Sequence, residues 1–180
     1  MHTAAFLLCA PATSFWHPRH PASPIKRLPF LQSCFTVLQF APAAIPSLAF
    51  EEAVAEKLRA ASQRSKIRDL HDLSEIASRP LNRDLVRSLA ILKFWNSGGP
   101  GLDYARFSER VKGGADYDLA DLTNLLRKDQ KPDLDGMIRR VVESYRFLAD
   151  LTAAEQLLAA DSTQKHRKKS TALIATLTAA

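Results

Sequence analysis

From residue 51 to residue 160, apolar side chains recur at intervals of three and four, the spacing that lines one face of an α-helix. The pattern predicts a helix near 51–63 with Ala53, Val54, Leu58 and Ala61 inward. A second follows near 66–78 with Ile67, Leu70, Leu73, Ile76 and Ala77. The two are expected as antiparallel neighbours. Asn82 can cap a third helix whose buried face carries Leu85, Val86, Leu89, Leu92 and Trp95, until the GGPG turn at 98–101 stops it. Shorter helices are expected near 103–112 and 117–128, then a longer one near 134–149 with Met137, Ile138, Val141, Val142, Tyr145 and Leu148 on one side. A last helix is expected near 152–160, followed by the basic stretch KHRKK at 165–169.

The first 49 residues read differently. They hold no Asp or Glu, and their fixed charges are Arg19, Lys26 and Arg27. Prolines at 11, 18, 21, 24, 29, 42 and 46 exclude long helices, because each lacks an N–H and biases the residue before it toward extended backbone. Only SCFTVLQF (33–40) and SLAF (47–50) have strand character. The fold class is therefore mainly α, with at most one or two short strands before residue 50. Residues 1–35 read as a Pro-rich, acid-free leader, expected to be disordered up to about residue 30. Residues 36–180 read as the helical part, compact from about 50 to 160.

A chain of 180 residues with 46% hydrophobic residues fits one domain. The formal net charge of +6 suits a polyanionic partner such as RNA, DNA or a nucleotide phosphate; a solvated basic surface has the same composition. Cys9 and Cys34 form neither a CxxC pair nor a metal-spaced set, which fits a reducing cytoplasm. No apolar run approaches the roughly 18 residues of a membrane span, and MHTAAFLLCAPATS lacks the basic start of a secretory signal. HPRHPASP has no third metal ligand. GGADYD (113–118) and DLD (133–135) stand where helix starts need acidic caps.

The chemistry-bearing stretch is EEAVAEKLRAASQRSKIRDLHDL, residues 51–73. On a continuous helix Lys57, Ala60 and Arg64 fall on nearly the same side, so a point charge and a bidentate fork flank a small residue. That arrangement can cradle a triphosphate. On the next helix Asp69 and Asp72 are neighbours, with Arg68 adjacent, a carboxylate pair suited to a base or to orienting an incoming hydroxyl. The same spacing also fits a solvated face with internal ion pairs such as Glu56–Arg59 or Arg68–Asp72.

These residues resemble the abortive-infection nucleotidyltransferase toxins of the AbiEii/AbiGii type, whose later motifs run EExxAEKxxAxxxR and then RDxxDL. Here EEAVAEKLRAASQR precedes RDLHDL, with Glu51, Glu52, Ala55, Glu56, Lys57, Ala60, Arg64, Arg68, Asp69 and Asp72 in register. The resemblance implies the helical C-terminal lobe of an α+β nucleotidyltransferase that transfers a nucleotide from an NTP to an RNA acceptor, tRNA in the better-understood relatives. It implies Mg²⁺ as cofactor and a cognate antitoxin protein as partner. On that analogy Lys57, Arg64 and Arg68 bind the NTP, Asp69 is the base or orienter, and Asp72 supports it. Arg139, Arg140, Lys165, Arg167, Lys168 and Lys169 can contact the RNA backbone or form a solvated helix and a frayed tail.

The chain departs from the family ahead of the lysine, where the family carries a glycine turn and paired metal-binding acids, and where this sequence has no acid before Glu51. GGADYD lies on the wrong side of Lys57 to serve. The expectation is thus a truncated toxin, inactive alone, behind a leader of about 35–45 residues. A non-catalytic helical module that contacts an antitoxin or RNA is the alternative.

Overall fold

Helix α1 (Phe50–Gln63) forms where the acid-free stretch ends, with Glu51 and Glu52 in its first turn facing the positive end of the helix dipole. The structure is a computed structural model that describes residues 26–28, 37, 45–113, 117–124, 126 and 131–178. Val54, Ala55, Leu58 and Ala61 of α1 are buried. From Ser62 to Lys66 the sequence offers no apolar side chain for another turn, so α1 stops. The chain then links through residues 64–66 into α2 (Ile67–Ile76), which buries Ile67, Leu70 and Leu73 against it.

Helix α3 (Arg83–Ser97) is capped as the sequence predicts, with Asn82 Oδ1 accepting from the Leu85 N–H at 3.1 Å and Gly98 closing it at φ 66°. Gly101, further along the same turn, admits no side chain, since a Cβ there would stand 1.8 Å from the Ala159 carbonyl. The burial of α3 exceeds the single face expected. Residues 86–95 are all buried, and each of its large apolar side chains contributes about 1.5–3 kcal/mol of transfer free energy. Its polar residues reach the interior only because they are paired there. Arg87 Nε donates to Glu155 Oε2 at 3.0 Å and Ser88 Oγ to Glu155 Oε1 at 2.7 Å, while Lys93 Nζ lies 2.5 Å from Glu52 Oε1.

The chain continues through α4 (Tyr104–Lys112), α5 (Leu119–Thr123), α6 (Leu134–Ser144), a 3₁₀ turn (Arg146–Ala149), α7 (Ala153–Ala159) and α8 (Arg167–Thr178); the 3₁₀ turn, α7 and α8 pack on α3, α4 packs on α1 and α6, and α5 and α6 pack on α2. Asp103, Asp118 and Asp133 cap α4, α5 and α6 through backbone N–H groups, which gives GGADYD and DLD the capping role predicted for them. Thr152 and Glu155 form a capping box on α7. Two expected helices are shorter. Within the described residues α5 ends at Thr123, and the helix expected to reach 149 breaks at Tyr145 (φ −98°, ψ 15°). There the buried hydroxyl donates to the Leu73 carbonyl at 3.1 Å, tying α6 to α2 before the backbone tightens into the 3₁₀ turn. Burial pushes the pKa of that phenol above its ordinary value.

A further helix appears where a basic tail was expected: Arg167, Lys168 and Lys169 open α8. Its approach is anchored by Asp161, which accepts from the Trp95 indole N–H at 3.0 Å and from the His166 N–H at 2.7 Å. Gln164 (φ 56°) donates to the Trp95 and Asn96 carbonyls at the end of α3.

Ahead of α1, β1 (Lys26–Leu28) pairs antiparallel with β2 (Ile45–Ser47), Lys26 opposite Ser47 and Leu28 opposite Ile45. The second strand therefore shares only Ser47 with SLAF, whose Phe50 already begins α1. Of SCFTVLQF only Val37 is described, and it is helical. The expected disorder of the leader lies outside the described residues apart from β1.

Two predictions follow from these buried ions. Burial raises the carboxyls of Asp161 and Glu155, but hydrogen bonds outweigh it and hold both below their ordinary values. The donors are Trp95 and the His166 and Lys165 amides for Asp161, and Thr152, Ser88 and Arg87 for Glu155. A depressed native pKa stabilises above the ordinary carboxylate range and is lost as pH falls through the native value. Thermal unfolding followed from pH 7 downward is expected to show stability falling below about pH 4.5, with a shallower acid limb in Asp161→Asn. Lys93→Met is expected to cost about 3–5 kcal/mol by removing a counter-ion of the buried Glu52. Denaturant titration of Lys93→Met with Glu52→Leu should recover most of that loss.

Candidate functional site

Lys57, Arg64 and Asp69 line one cavity of about 370 Å³, together with Leu48, Ala53, Glu56, Arg59, Ala60 and Gln63. The α1 helix supplies its floor, and Asp69, in the first turn of α2, closes one side. Asp69 has a side chain only 3% exposed and sits between the two cations. Arg64 Nε donates to its Oδ2 at 2.8 Å and Arg64 Nη2 to its Oδ1 at 3.3 Å, while Lys57 Nζ donates to Oδ1 at 3.4 Å. Asp72, one turn on, takes the lysine at 2.5 Å.

Sequence spacing treated Arg64 as part of the helix, but the helix ends at Gln63. Arg64 is extended (φ −144°, ψ 150°), with its N–H still bonded to the Ala60 carbonyl at 3.0 Å. That extension carries the guanidinium across the turn to Asp69 while leaving it beside the same cavity as Lys57. The alignment survives, by a different backbone route.

Both cations are held charged. The hydrogen bond that Lys57 donates to Asp72 raises the Lys57 pKa and burial opposes it only in part; the hydrogen bond that Arg64 donates to Asp69 raises that of Arg64. A carboxylate filling the fork of an arginine presents two oxygens much as a phosphate does. The site therefore displays two permanent cations arranged around an oxyanion, with small side chains at Ala53 and Ala60 leaving room for a ligand.

The other sequence-derived candidates stand outside the cavity. Arg68 is exposed and faces Asp121 of α5 at 3.8 Å rather than Asp72. Arg139, Lys165, Arg167, Lys168 and Lys169 are exposed, and Arg140 donates to Ser74 Oγ at 3.1 Å. Among the described residues no three His, Cys, Asp or Glu side chains gather as a metal site. Asp69 spends both oxygens on Arg64 and Lys57, and Asp72 spends Oδ2 on Lys57, so this donor set does not fit Mg²⁺. The Glu56–Arg59 ion pair allowed by the spacing is present, and both partners line the cavity. Sequence spacing found the pair but gave no sign that it faced the same space as Lys57, because only the α1–α2 turn defines that space.

No helix among the described residues is long and apolar enough to cross a membrane. No curated protein sequence matches the chain. Its fold is similar to MenT4, the nucleotidyltransferase toxin Rv2826c from Mycobacterium tuberculosis H37Rv, at 31% identity with a TM-score of 0.73 over 89% of this chain. The match covers 56% of MenT4, so the chain spans little more than half the length of that relative. Residues 18–160 match the family model for the nucleotidyl transferase AbiEii toxin of type IV toxin–antitoxin systems. With a mainly helical fold shared with a nucleotidyltransferase toxin, and with most of its length matched by that model, this chain belongs to the AbiEii nucleotidyltransferase toxin family.

Proposed function

We propose that the α1–α2 cavity binds the triphosphate of an NTP and that the chain serves the transfer of a nucleotide to an RNA acceptor, tRNA foremost. The observation that carries this reading is the convergence of Lys57, Arg64 and Asp69 on one cavity beside an alanine floor. Lys57 and Arg64 exchange the oxygens of Asp69 for phosphate oxygens, keeping their charge satisfied throughout. Asp69, released from the cations, orients the accepting hydroxyl and takes its proton as that oxygen bonds to the α-phosphorus and pyrophosphate leaves. Asp72 keeps a hold on Lys57, and Arg68 supports the outer edge of the site from beside Asp121. Mg²⁺ belongs to the chemistry expected of the family, but the described residues do not assemble a site for it and no step here is routed through it.

The exposed cations at the start of α8, with Arg139 and Arg140 on α6, suit an RNA backbone, and their contribution is electrostatic and salt-dependent. A cognate antitoxin is the partner that membership of a toxin–antitoxin family supports, and action on tRNA fits a cytoplasmic setting. A second reading, contact with antitoxin or RNA without chemistry, draws on the lack of any acid before Glu51. RNA binding that is tight and indifferent to Lys57→Ala would select it.

Calorimetry of the purified chain with an NTP and Mg²⁺ tests the first reading. Lys57→Ala is expected to weaken binding at least about tenfold by removing a charge-assisted contact. Asp69→Ala is expected to keep NTP binding, since it removes the competing carboxylate, while abolishing labelled nucleotide transfer. A folded wild type that binds no NTP overturns the proposal.

A further inference from the structure

The cavity floor has an order that the phosphate cradle does not use. Residues seven apart on a helix stand two turns apart on one line, and α1 offers three such lines side by side. Ala53 and Ala60 form the middle line; Lys57 lies on one flank, with Arg64 beyond it, and Glu56 and Gln63 lie on the other. A strip of two alanines between two polar rims admits a flat ring.

The rim opposite the cradle is electrically neutral and tightly organised. Arg59 donates through Nε to both Glu56 oxygens at 3.1 and 3.2 Å, and through Nη2 to Glu56 Oε1; through Nη1 it donates to Gln63 Oε1 at 2.6 Å. From the core side, Lys93 Nζ approaches Glu56 Oε2 at 3.9 Å. Because Glu56 neutralises Arg59, this rim does not compete with Lys57 and Arg64 for phosphate. It presents hydrogen bonds instead. An arginine cannot accept, so the Gln63 carbonyl must face it, which leaves the Gln63 amide NH₂ as a donor at the rim of the cavity. Arg59 spends three of its five N–H groups on Glu56 and Gln63, which leaves one on each Nη. The rim therefore displays donors.

We infer that Arg59 and Gln63 form the nucleobase-reading edge of this cavity. The inference rests on the reading of the cavity as an NTP site and names a part of that site which the cradle residues leave unassigned. A donor edge favours a base with two adjacent acceptors, such as O6 and N7 of guanine or O2 and N3 of cytosine. It disfavours adenine, whose N7 is flanked by an amine. Gln63 is exposed at the end of α1, so its replacement leaves the core untouched.

The test compares inorganic tripolyphosphate, GTP, CTP and ATP by calorimetry on the full chain, in wild type, Gln63→Glu and Arg59→Ala. In the wild type, GTP or CTP is expected to bind about tenfold more tightly than ATP. Gln63→Glu places an acceptor on the rim and is expected to erase or reverse that preference, and Arg59→Ala to erase it. In both variants tripolyphosphate affinity should change less than nucleotide discrimination does. If tripolyphosphate binds but the wild type makes no distinction among the bases, or the variants keep the wild-type preference, the inference is overturned and the cradle stands. If neither tripolyphosphate nor any NTP binds a folded wild type, the cavity reading and this inference fall together.

Discussion

The structure depends on the burial of α3 on every side although it carries Arg87 and Lys93. A charge taken out of water is tolerated only with a hydrogen-bonded counter-ion. Each of these cations therefore dictates the position of a carboxylate far away in sequence: Arg87 fixes Glu155 at the start of α7, and Lys93 fixes Glu52 at the start of α1. The two pairs set the orientation of the helices that flank α3. Replacing either cation with an apolar residue would leave the packing area in place and remove the registration.

That registration reaches the candidate site through α1. Glu52 and Glu56 lie on the side of α1 that meets Lys93, while Lys57 and Ala60 face the cavity, so the angle at which α1 sits on α3 decides what the cavity can present. Asp69 plays the corresponding part across the α1–α2 turn. It joins an extended arginine to a helical lysine and is itself almost fully buried. The cations are arranged by carboxylates before any ligand arrives, which limits the reorganisation needed to accept one.

Much of the fold was legible because its helices are bounded by local chemistry. Asn82, Asp118 and Asp133 cap where they were expected to, and Gly98 ends α3 in the left-handed region. The errors fall where long-range contacts win. Tyr145 breaks a continuous apolar pattern because its hydroxyl is held by the Leu73 carbonyl, and the RKK of KHRKK becomes helical where Asp161 pins the preceding turn to Trp95. Arg68 shows the same limit in the site, since a local rule pairs it with Asp72 while the fold offers Asp121.

By itself the sequence determined the helical periodicity, the caps, the family signature and the candidacy of Lys57, Arg64, Asp69 and Asp72, because each of these is written in a short stretch of chain. Only the tertiary structure decided that α3 is buried all round, that Arg64 leaves the helix to meet Asp69, and that Glu56, Arg59 and Gln63 share a cavity with the phosphate-binding candidates. Those outcomes depend on which helices meet and at what angle. That is fixed by packing and by ion pairs between residues distant in sequence, for which no local pattern carries a signal.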